Sequence, residues 1–566
     1  MRAPRRKPDA PGNLRILLKR INHGRHLLRP QCGRSLVRQV AGAFGLGGSR
    51  APARVAGPGT PGAHVLYQTT ATGPGQSEGR PRPTSHAHVA AAGSRTMPHS
   101  RPDSRPDSRL FLPLVLLCAV SIPVQVEGQT GPSPTEEVPG NIPFAAYHLD
   151  NGLHVILAPD AEATAVAVNL WYDVGSRHER PGRSGFAHLF EHLMFQGSEN
   201  VAPGEHGQHV ERAGGSLNAS ITEDRTNYFQ TLPPERMNLG LWLESDRMRS
   251  LRITEENMQR EVEVVKEERR LRVDNSPYGT TQLEAAYYAA YDSTSCFPYA
   301  HSVIGSIADL DAAELPEVQE FFDLHYVPNN ATLTVAGAFE EEVARELIEE
   351  YFGSIPSGGT SPEVVCEDPF SHLPVDRTIH DRNATLPALF LSYGSVETAH
   401  PDAAALSVLG RILGDGQSSR LHQRLVREEQ VAVQTAAFSN TRRGPGLFQV
   451  IAIANQGVEA GPLLEILDEE IERIVEAGVG LEEVERARNQ IRATVIRSRQ
   501  TVMGRAEALQ SANHFHGTPE AIRTVVQQVA EVGPEDVLRV ARRYLTSDNR
   551  AVLRTVPGAA SGEEDR

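Results

Sequence analysis

The chain has 566 residues, which is long enough for roughly two to four domains. Hydrophobic residues make up 39% and charged residues 22%, which excludes a fully disordered chain, and four cysteines exclude a disulfide scaffold. Residues 1–109 hold 19 Lys and Arg against four Asp and Glu, whereas the remaining residues hold 37 against 67. The body is therefore strongly acidic, so nucleic acid is excluded as a partner and cationic peptides are attracted.

The N-terminal part of the chain has two segments of unlike composition. Residues 1–96 are rich in Arg, Pro, Gly and Ala, and we interpret them as an unstructured extension upstream of the true start, Met97. Residues 97–128 have a basic segment followed by an apolar run, which is the pattern of a secretory signal peptide. We therefore expect export to the periplasm or the cell exterior, cleavage near Gln129, and membrane anchoring if the signal stays uncleaved. The Arg-rich, acid-poor residues 1–50 leave an organelle transit peptide open as an alternative.

The acidic body divides into segments by composition. A first domain, a Gly-, Ser- and Pro-rich linker, a second domain and a polar tail are predicted at residues 140–356, 357–374, 375–557 and 558–566. After export only Cys296 and Cys366 remain, and either one disulfide or two buried thiols fits them.

The two predicted domains resemble copies of each other. Tyr326 follows Pro316 by ten residues, Tyr544 follows Pro534 by the same number, and an apolar run follows each tyrosine. Pro-Glu suits the first turn of a helix, and the apolar run suits a strand. Other strands are predicted at residues 155–157, 165–172 and 227–232, and helices at 238–248 and 254–272. The pattern predicts an α+β fold with two homologous domains, each an antiparallel sheet packed with helices.

A short histidine motif carries the strongest chemical signal. His188 and His192 are four residues apart, so on a helix their imidazoles share a face and can reach one metal ion. Glu191 lies on the same face, where its carboxylate can take a proton from a zinc-bound water and later deliver it to a leaving amine. The surrounding residues are apolar, and such a buried helix needs partners for three ionisable groups.

A third protein ligand is predicted from the charged helix that contains Glu261, Glu267 and Glu268. Glu261 and Glu268 are seven residues apart and share a face, whereas Glu267 points about 100° away. From the residues alone the choice of ligand among these glutamates stays open, because a charged helix is usually solvated.

From about residue 145 to 557 the chain resembles the pitrilysin (insulinase) family of inverzincin metallopeptidases, of the bacterial processing-peptidase-like two-domain type. The family motif is H-x-x-E-H followed some 76 residues later by a ligand glutamate, with another glutamate seven residues before it. The resemblance implies that His188, His192 and Glu268 bind one zinc ion per chain, that Glu191 is the catalytic base, and that Glu261 orients a ligand. It also implies that the two domains form half of a clam-like chamber.

The resemblance implies substrate contacts as well. The stretch with Asn218 and Ala219 matches an edge strand to which substrate adds by β-augmentation, and Arg420 matches a substrate-binding position of the second domain. Residues 405–413, at the place of the zinc helix, hold neither His nor Glu, so the second domain is expected to be non-catalytic. Val433 stands where many relatives carry a tyrosine that reaches the scissile carbonyl.

We therefore expect a zinc-dependent endopeptidase that acts on peptides or unfolded polypeptides, either as a homodimer or paired with a related non-catalytic subunit. One alternative is a catalytic or scaffold subunit of a hetero-oligomeric processing peptidase, and another is an organelle processing peptidase. Because the ligands and the base all lie in the first half, residues 129–360 alone are expected to fold and bind zinc.

Overall fold

The computed structural model describes residues 141–558, which form two β-sheets with helices packed against them. In this part of the chain the first sheet consists of β1 (Ala145–His148), β2 (His154–Pro159), β3 (Val166–Tyr172), β4 (Ser216–Ile221), β5 (Thr226–Leu232) and β6 (Ala331–Gly337). The second consists of β7 (Val375–Asp381), β8 (Ala388–Gly394), β9 (Ala432–Asn440), β10 (Leu447–Ala454) and β11 (Arg550–Pro557).

The helices divide between the two halves of the sequence. Those between the strands of the first sheet, or directly after it, are α1 (Phe186–Leu193), α2 (Glu205–Arg212), α3 (Met237–Ser250), α4 (Glu255–Arg269), α5 (Ala286–Ala290), α6 (Ile307–Asp311), α7 (Leu315–His325) and α8 (Glu341–Phe352). The others are α9 (Ala403–Gly414), α10 (Ala460–Ala477), α11 (Leu481–Ser498), α12 (Val502–His516), α13 (Ala521–Glu531) and α14 (Pro534–Tyr544).

The two sheets have the same strand arrangement. The first runs β1-β2-β6-β3-β5-β4 and the second β7-β11-β8-β10-β9, so every strand after β1 has an equivalent. Neighbours are antiparallel except the pairs β2–β6 and β7–β11. The Pro-to-Tyr stretches that suggested the repeat are α7 and α14, and each is followed by an equivalent strand, β6 or β11. The predicted α+β fold of two homologous halves is confirmed, but each sheet is mixed rather than purely antiparallel, because it contains one parallel pair.

The central strands β3 and β8 are buried along their whole length, because helices cover both faces of each sheet. The halves exchange helices to achieve this. From the second half, α12 packs Ala506 and Leu509 against the first sheet, where they meet Ile156 and Ala167. From the first half, α5 packs against the second sheet; the buried residues of that contact include Ala286, Ala289, Phe390 and Leu553.

This exchange changes what is expected of the isolated first half. Without α12, the face of the first sheet that carries Ile156 and Ala167 would be left in water. Exposing a contiguous apolar sheet face costs about 25 cal/mol per Å² and favours aggregation. Contrary to the expectation from the sequence, the packing therefore predicts that residues 129–360 alone fold less stably than the whole chain.

A segment without helix or strand, residues 353–374, joins the halves. A disulfide between Cys296 and Cys366 attaches this segment to the first half. Of the two alternatives for these cysteines, one disulfide or two buried thiols, the structure therefore has the disulfide. The predicted extension, signal peptide and polar tail lie outside the described residues, and the domain boundaries at 356 and 375 stay a prediction. Within residues 141–558, no helix has both the length and the apolar character needed to cross a membrane.

Candidate metal centre

Helix α1 carries the histidine motif and is buried at all eight positions. It begins after Gly185, whose φ of +92° is the left-handed region, and a Cβ there would lie 2.8 Å from the carbonyl oxygen of Ile304. The carboxylate of Glu179 accepts the main-chain N–H groups of Gly185 and Ala187, both at 2.8 Å, and its charge complements the positive end of the helix. His301 holds this carboxylate through a 3.0 Å contact at Nε2.

The side chains of His188 and His192 meet Glu268 of α4. Glu268 Oε2 lies 3.8 Å from His188 Nε2 and 3.3 Å from His192 Nε2. One ligand atom from each of the three residues lies within 4.8 Å of the others. Zinc bonds of about 2.0–2.2 Å in a tetrahedron place ligand atoms about 3.3–3.6 Å apart, so only small side-chain shifts separate this arrangement from a zinc site. Elsewhere in residues 141–558 no second set of three His, Cys, Asp or Glu residues reaches this spacing.

Glu191 lies beside this cluster, as the sequence motif predicts. Its Oε2 is 3.8 Å from His188 Nε2, its side chain is 0% exposed, and neither carboxylate oxygen has a hydrogen-bond partner among the described residues. A buried carboxylate without partners is costly unless a cation or a reacting proton meets it. Two imidazoles, one carboxylate and an adjacent free carboxylate are the donor set of a catalytic zinc site with one open position, so the residues present fit the metal.

The charges around the cluster follow from burial and from the carboxylates. Burial raises the pKa of Glu191 to about 7, which suits a base that works near neutral pH. Burial and the neighbouring His192 lower the pKa of His188 to about 3, so its imidazole stays neutral with a lone pair for a metal. Burial alone would lower the pKa of His192, but hydrogen bonds to Glu261 and Glu268 raise it to about 9. The carboxylates of Glu261 and Glu268 therefore favour a positive charge at His192.

Glu261 contacts His192 at Nδ1, the ring nitrogen other than the one that lies near Glu268. Its Oε2 lies 3.5 Å from His192 Nδ1, and its side chain is buried. A carboxylate in this place holds the proton on Nδ1, so that Nε2 keeps its lone pair for the metal. Glu261 thus lies against His192, and its role in orienting that ligand stays a prediction.

Replacing Glu261 by glutamine is expected to weaken zinc affinity about tenfold, because the neutral amide holds the His192 ring less firmly. Competition with a chromophoric chelator measures the affinity. The matched control is Glu263→Gln, because Glu263 is 65% exposed and its one ion pair within residues 141–558 is with Lys266; equal affinities for both variants would contradict the orienting role.

Arg272 is a contact that the sequence reasoning missed. Its Nε lies 3.0 Å from Glu268 Oε1, so the guanidinium occupies one carboxylate oxygen and leaves Oε2 directed at the histidines. The spacing in the sequence could have indicated this contact, because Glu and Arg four residues apart share a helix face. Arg272 lies in a π-helical turn, Arg270–Asp274, that follows α4 directly, so the regular helix ends three residues before the predicted end at residue 272.

The predicted substrate strand is β4, and it lies at the edge of the first sheet. Among the described strands it pairs with β5 alone, in a register that places Asn218 opposite Phe229 and Ala219 opposite Tyr228. Helix α1, which carries His188 and His192, contacts β4. An unpaired strand edge presents the N–H and C=O groups that an extended peptide can pair with.

The predicted contacts from the second half have a different environment. Arg420 donates two 2.8 Å hydrogen bonds to Glu483 and another, at 3.3 Å, to the carbonyl of Gly478. These bonds engage its guanidinium within the second half, and its role in substrate binding stays a prediction. Val433 is 48% exposed in the edge strand β9, and a valine side chain there offers no hydroxyl to a carbonyl. Residues 405–413 lie in helix α9, whose sequence contains no His, Cys, Asp or Glu.

Comparison with known proteins agrees with this geometry. Residues 154–295 match the family model described as insulinase (peptidase family M16), and residues 313–491 match the model described as the peptidase M16 inactive domain. A protein named zinc protease PqqE, from Helicobacter pylori, is 30% identical over 403 residues, which cover 70% of this chain and 89% of the relative. This chain belongs to the M16 peptidase family.

Other M16 relatives support the same assignment. A protein of Arabidopsis thaliana named "probable mitochondrial-processing peptidase subunit beta" is 24% identical over 71% of this chain and 76% of its own. The crystal structure of a protease from Helicobacter pylori aligns with a TM-score of 0.69 at 27% identity, covering 74% of this chain and all of that one. A putative M16-like peptidase from Alicyclobacillus acidocaldarius shares the fold, with a TM-score of 0.64 at 21% identity over 74% of this chain and 99% of that one. These relatives support a metallopeptidase of the M16 type.

Proposed function

We propose that this M16 protein is a zinc-dependent endopeptidase that hydrolyses peptides or unfolded polypeptides. The observation that carries the proposal is the convergence of His188, His192 and Glu268 within 4.8 Å, with the buried, unpartnered carboxylate of Glu191 beside them. In this proposal His188, His192 and Glu268 supply the metal ligands, and Glu191 supplies the base.

Zinc held by these ligands would act as a Lewis acid that polarises the scissile carbonyl and eases deprotonation of the attacking water. Glu191 takes the proton from that water at a carboxylate oxygen and then gives it to the leaving amine nitrogen. The apolar surroundings of α1 exclude bulk water, which strengthens these electrostatic interactions. Arg272 and Glu261 keep Glu268 and His192 in the orientation that the ligands need.

Strand β4 supports the proposed class of substrate. An extended peptide that adds to this edge is held by main-chain hydrogen bonds, which do not depend on side-chain identity. Only a segment without regular structure can offer such a backbone, so flexible peptides and unfolded chains are favoured over folded proteins. Asn218 and Ala219 are the residues of β4 that we propose to face the substrate main chain.

We also propose that the active assembly contains two chains, either two copies of this one or this one with a related non-catalytic subunit. The relative named as a subunit of a mitochondrial-processing peptidase supports pairing. A purely scaffolding role is disfavoured because His188, Glu191, His192 and Glu268 are all present. The size of the purified protein by light scattering distinguishes a single chain from a pair.

Export remains a proposal that rests on the basic and apolar pattern of residues 97–128. N-terminal sequencing of the native protein is expected to begin near Gln129, and deletion of residues 1–96 is expected to leave activity unchanged. A native protein that retains residues 1–50 would instead support the organelle alternative.

The proposed activity is tested by metal analysis together with a peptidase assay on the purified protein. Zinc content and hydrolysis of an unstructured peptide should be lost together when a chelator removes the metal.

A further inference from the structure

Two equivalent turns of the sheets contact each other across the halves. The turn 222–225 joins β4 to β5 in the first sheet, and the turn 441–446 joins β9 to β10 in the second. The first turn contributes the acidic residues Glu223 and Asp224, and the second contributes the basic residues Arg442 and Arg443. The contact therefore combines opposite charges at the tip of the hairpin that contains β4.

Arg442 is enclosed by residues of the first half, and its side chain is only 2% exposed. One guanidinium nitrogen lies 2.9 Å from Glu223 Oε1, and another donates a 2.9 Å hydrogen bond to the hydroxyl of Tyr291. The guanidinium carbon lies 5.0, 5.5 and 5.7 Å from the ring centres of Tyr287, Tyr291 and Tyr299. Aromatic rings and a carboxylate around a buried cation form a specific, desolvated contact.

Arg443 and Asp224 form the second part of the contact. The main-chain N–H of Arg443 donates to Asp224 Oδ2 at 3.0 Å, and the hydroxyl of Tyr299 donates to Oδ1 at 2.9 Å. The guanidinium of Arg443 pairs with Asp173. At the next residue a Cβ would lie 2.5 Å from the Tyr299 ring, so only glycine, Gly444, allows the two turns to approach this closely.

A second connection from the second half reaches the same hairpin. Glu507 of α12 accepts hydrogen bonds from the side-chain amides of Asn169 and Asn227, at 2.9 and 3.0 Å. Asn227 lies in β5, and its Oδ1 accepts a 2.6 Å hydrogen bond from the hydroxyl of Ser220 in β4. The second half thus contacts β5 near its start and the turn between β4 and β5, and it is linked to β4 through Asn227 and Ser220.

We propose that Arg442 is a positioning residue of the peptidase: through Glu223 it fixes the turn 222–225 and thereby holds β4 in the place where a peptide can pair with it. The reason is mechanical. Strand β4 is paired on one side only, and an edge strand held by a single neighbour shifts readily. The half without metal ligands thereby contributes to substrate binding. This inference rests on the proposed peptidase function.

The test compares Arg442→Met, Glu223→Gln and the double variant with the full chain. We expect amide hydrogen exchange in residues 216–221 to become at least about tenfold faster, while β2 and β6 exchange as before. KM for an unstructured peptide should rise about tenfold with kcat within about threefold, because binding is impaired and the base and ligands are intact. One zinc ion per chain should remain. The double variant should be no worse than Arg442→Met, since both changes break the same pair.

The matched control is Arg473→Gln, an arginine of the second half whose side chain is 59% exposed and which pairs with Glu470 of the same helix, α10. It should change neither exchange nor KM. Unchanged exchange in residues 216–221 of Arg442→Met and Glu223→Gln would overturn the proposal, whether or not the parent chain cleaves peptides. A loss of activity accompanied by loss of zinc, or by faster exchange throughout the chain, would also overturn the proposal, because it would indicate a general effect on folding. Failure of the parent chain to hydrolyse peptide refutes the peptidase function separately, since the exchange measurement needs no substrate.

Discussion

Glu191→Gln is expected to keep zinc bound and to slow peptide hydrolysis by at least about 10²-fold. The amide has the size and shape of the carboxylate, so the packing of α1 is preserved, and the three ligand side chains are untouched. The amide cannot accept the proton of the attacking water, which is the step assigned to Glu191. The loss should therefore appear in kcat, with little change in KM.

Zinc content must be measured on the same sample, because a variant that lost its metal would also be inactive. Glu267→Gln serves as the control, since Glu267 is 61% exposed and pairs with Arg270 on the surface of α4. Full activity in Glu191→Gln would contradict the assignment of the base.

His188→Ala and Glu268→Gln are expected to remove the metal itself, lowering zinc from one ion per chain to below about a tenth. Each change deletes one of three protein ligands, and an amide oxygen is a much weaker ligand than the carboxylate. Hydrolysis should fall at least as far as in Glu191→Gln. Atomic emission on dialysed protein measures the zinc, and circular dichroism checks that the fold is intact.

The ligand register depends on the distinction between Glu267 and Glu268. Glu268 faces His188 and His192, whereas Glu267 is exposed and pairs with Arg270. If Glu267→Gln released zinc while Glu268→Gln retained it, the assignment along α4 would be off by one residue.

The local parts of the site could be predicted from the sequence. A spacing of four residues places His188 and His192 on one helix face, and a spacing of seven places Glu261 and Glu268 on one face of α4. What the periodicity could not provide was the choice of ligand among the glutamates, because spacing within a helix says nothing about which face meets α1. The family resemblance supplied that choice; in the structure both Glu268 and Glu261 lie beside His192, and their roles stay predictions.

The repeat of sheets was also predictable, because the Pro-to-Tyr stretches in α7 and α14 mark equivalent positions. The exchange of helices was not. The apolar residues Ala506 and Leu509 of α12 predict a buried face but not the sheet that buries it, since the first sheet and the second sheet offer similar apolar surfaces. Periodicity assigns a residue to the core of the chain and leaves open which half that core belongs to.

The contact around Arg442 was missed for a related reason. A basic pair in a turn is ordinarily solvated, and nothing local indicates that the tyrosines of another half enclose it. The signal lies in the repeat: Glu223 and Asp224 in one turn and Arg442 and Arg443 in its equivalent have opposite charges. Comparing charges at equivalent positions of the two halves would have suggested that these turns meet.

The central claim, that the chain is a zinc endopeptidase, is tested most directly by metal content and hydrolysis on one preparation of the purified protein. Zinc is measured by atomic emission, and cleavage of an unstructured peptide is followed before chelation, after chelation and after return of zinc. The account predicts one zinc ion per chain, loss of cleavage when the metal is removed, and recovery when it is restored. Cleavage that persists in the zinc-free protein, or a chain that binds zinc fully and cleaves no peptide, would contradict it.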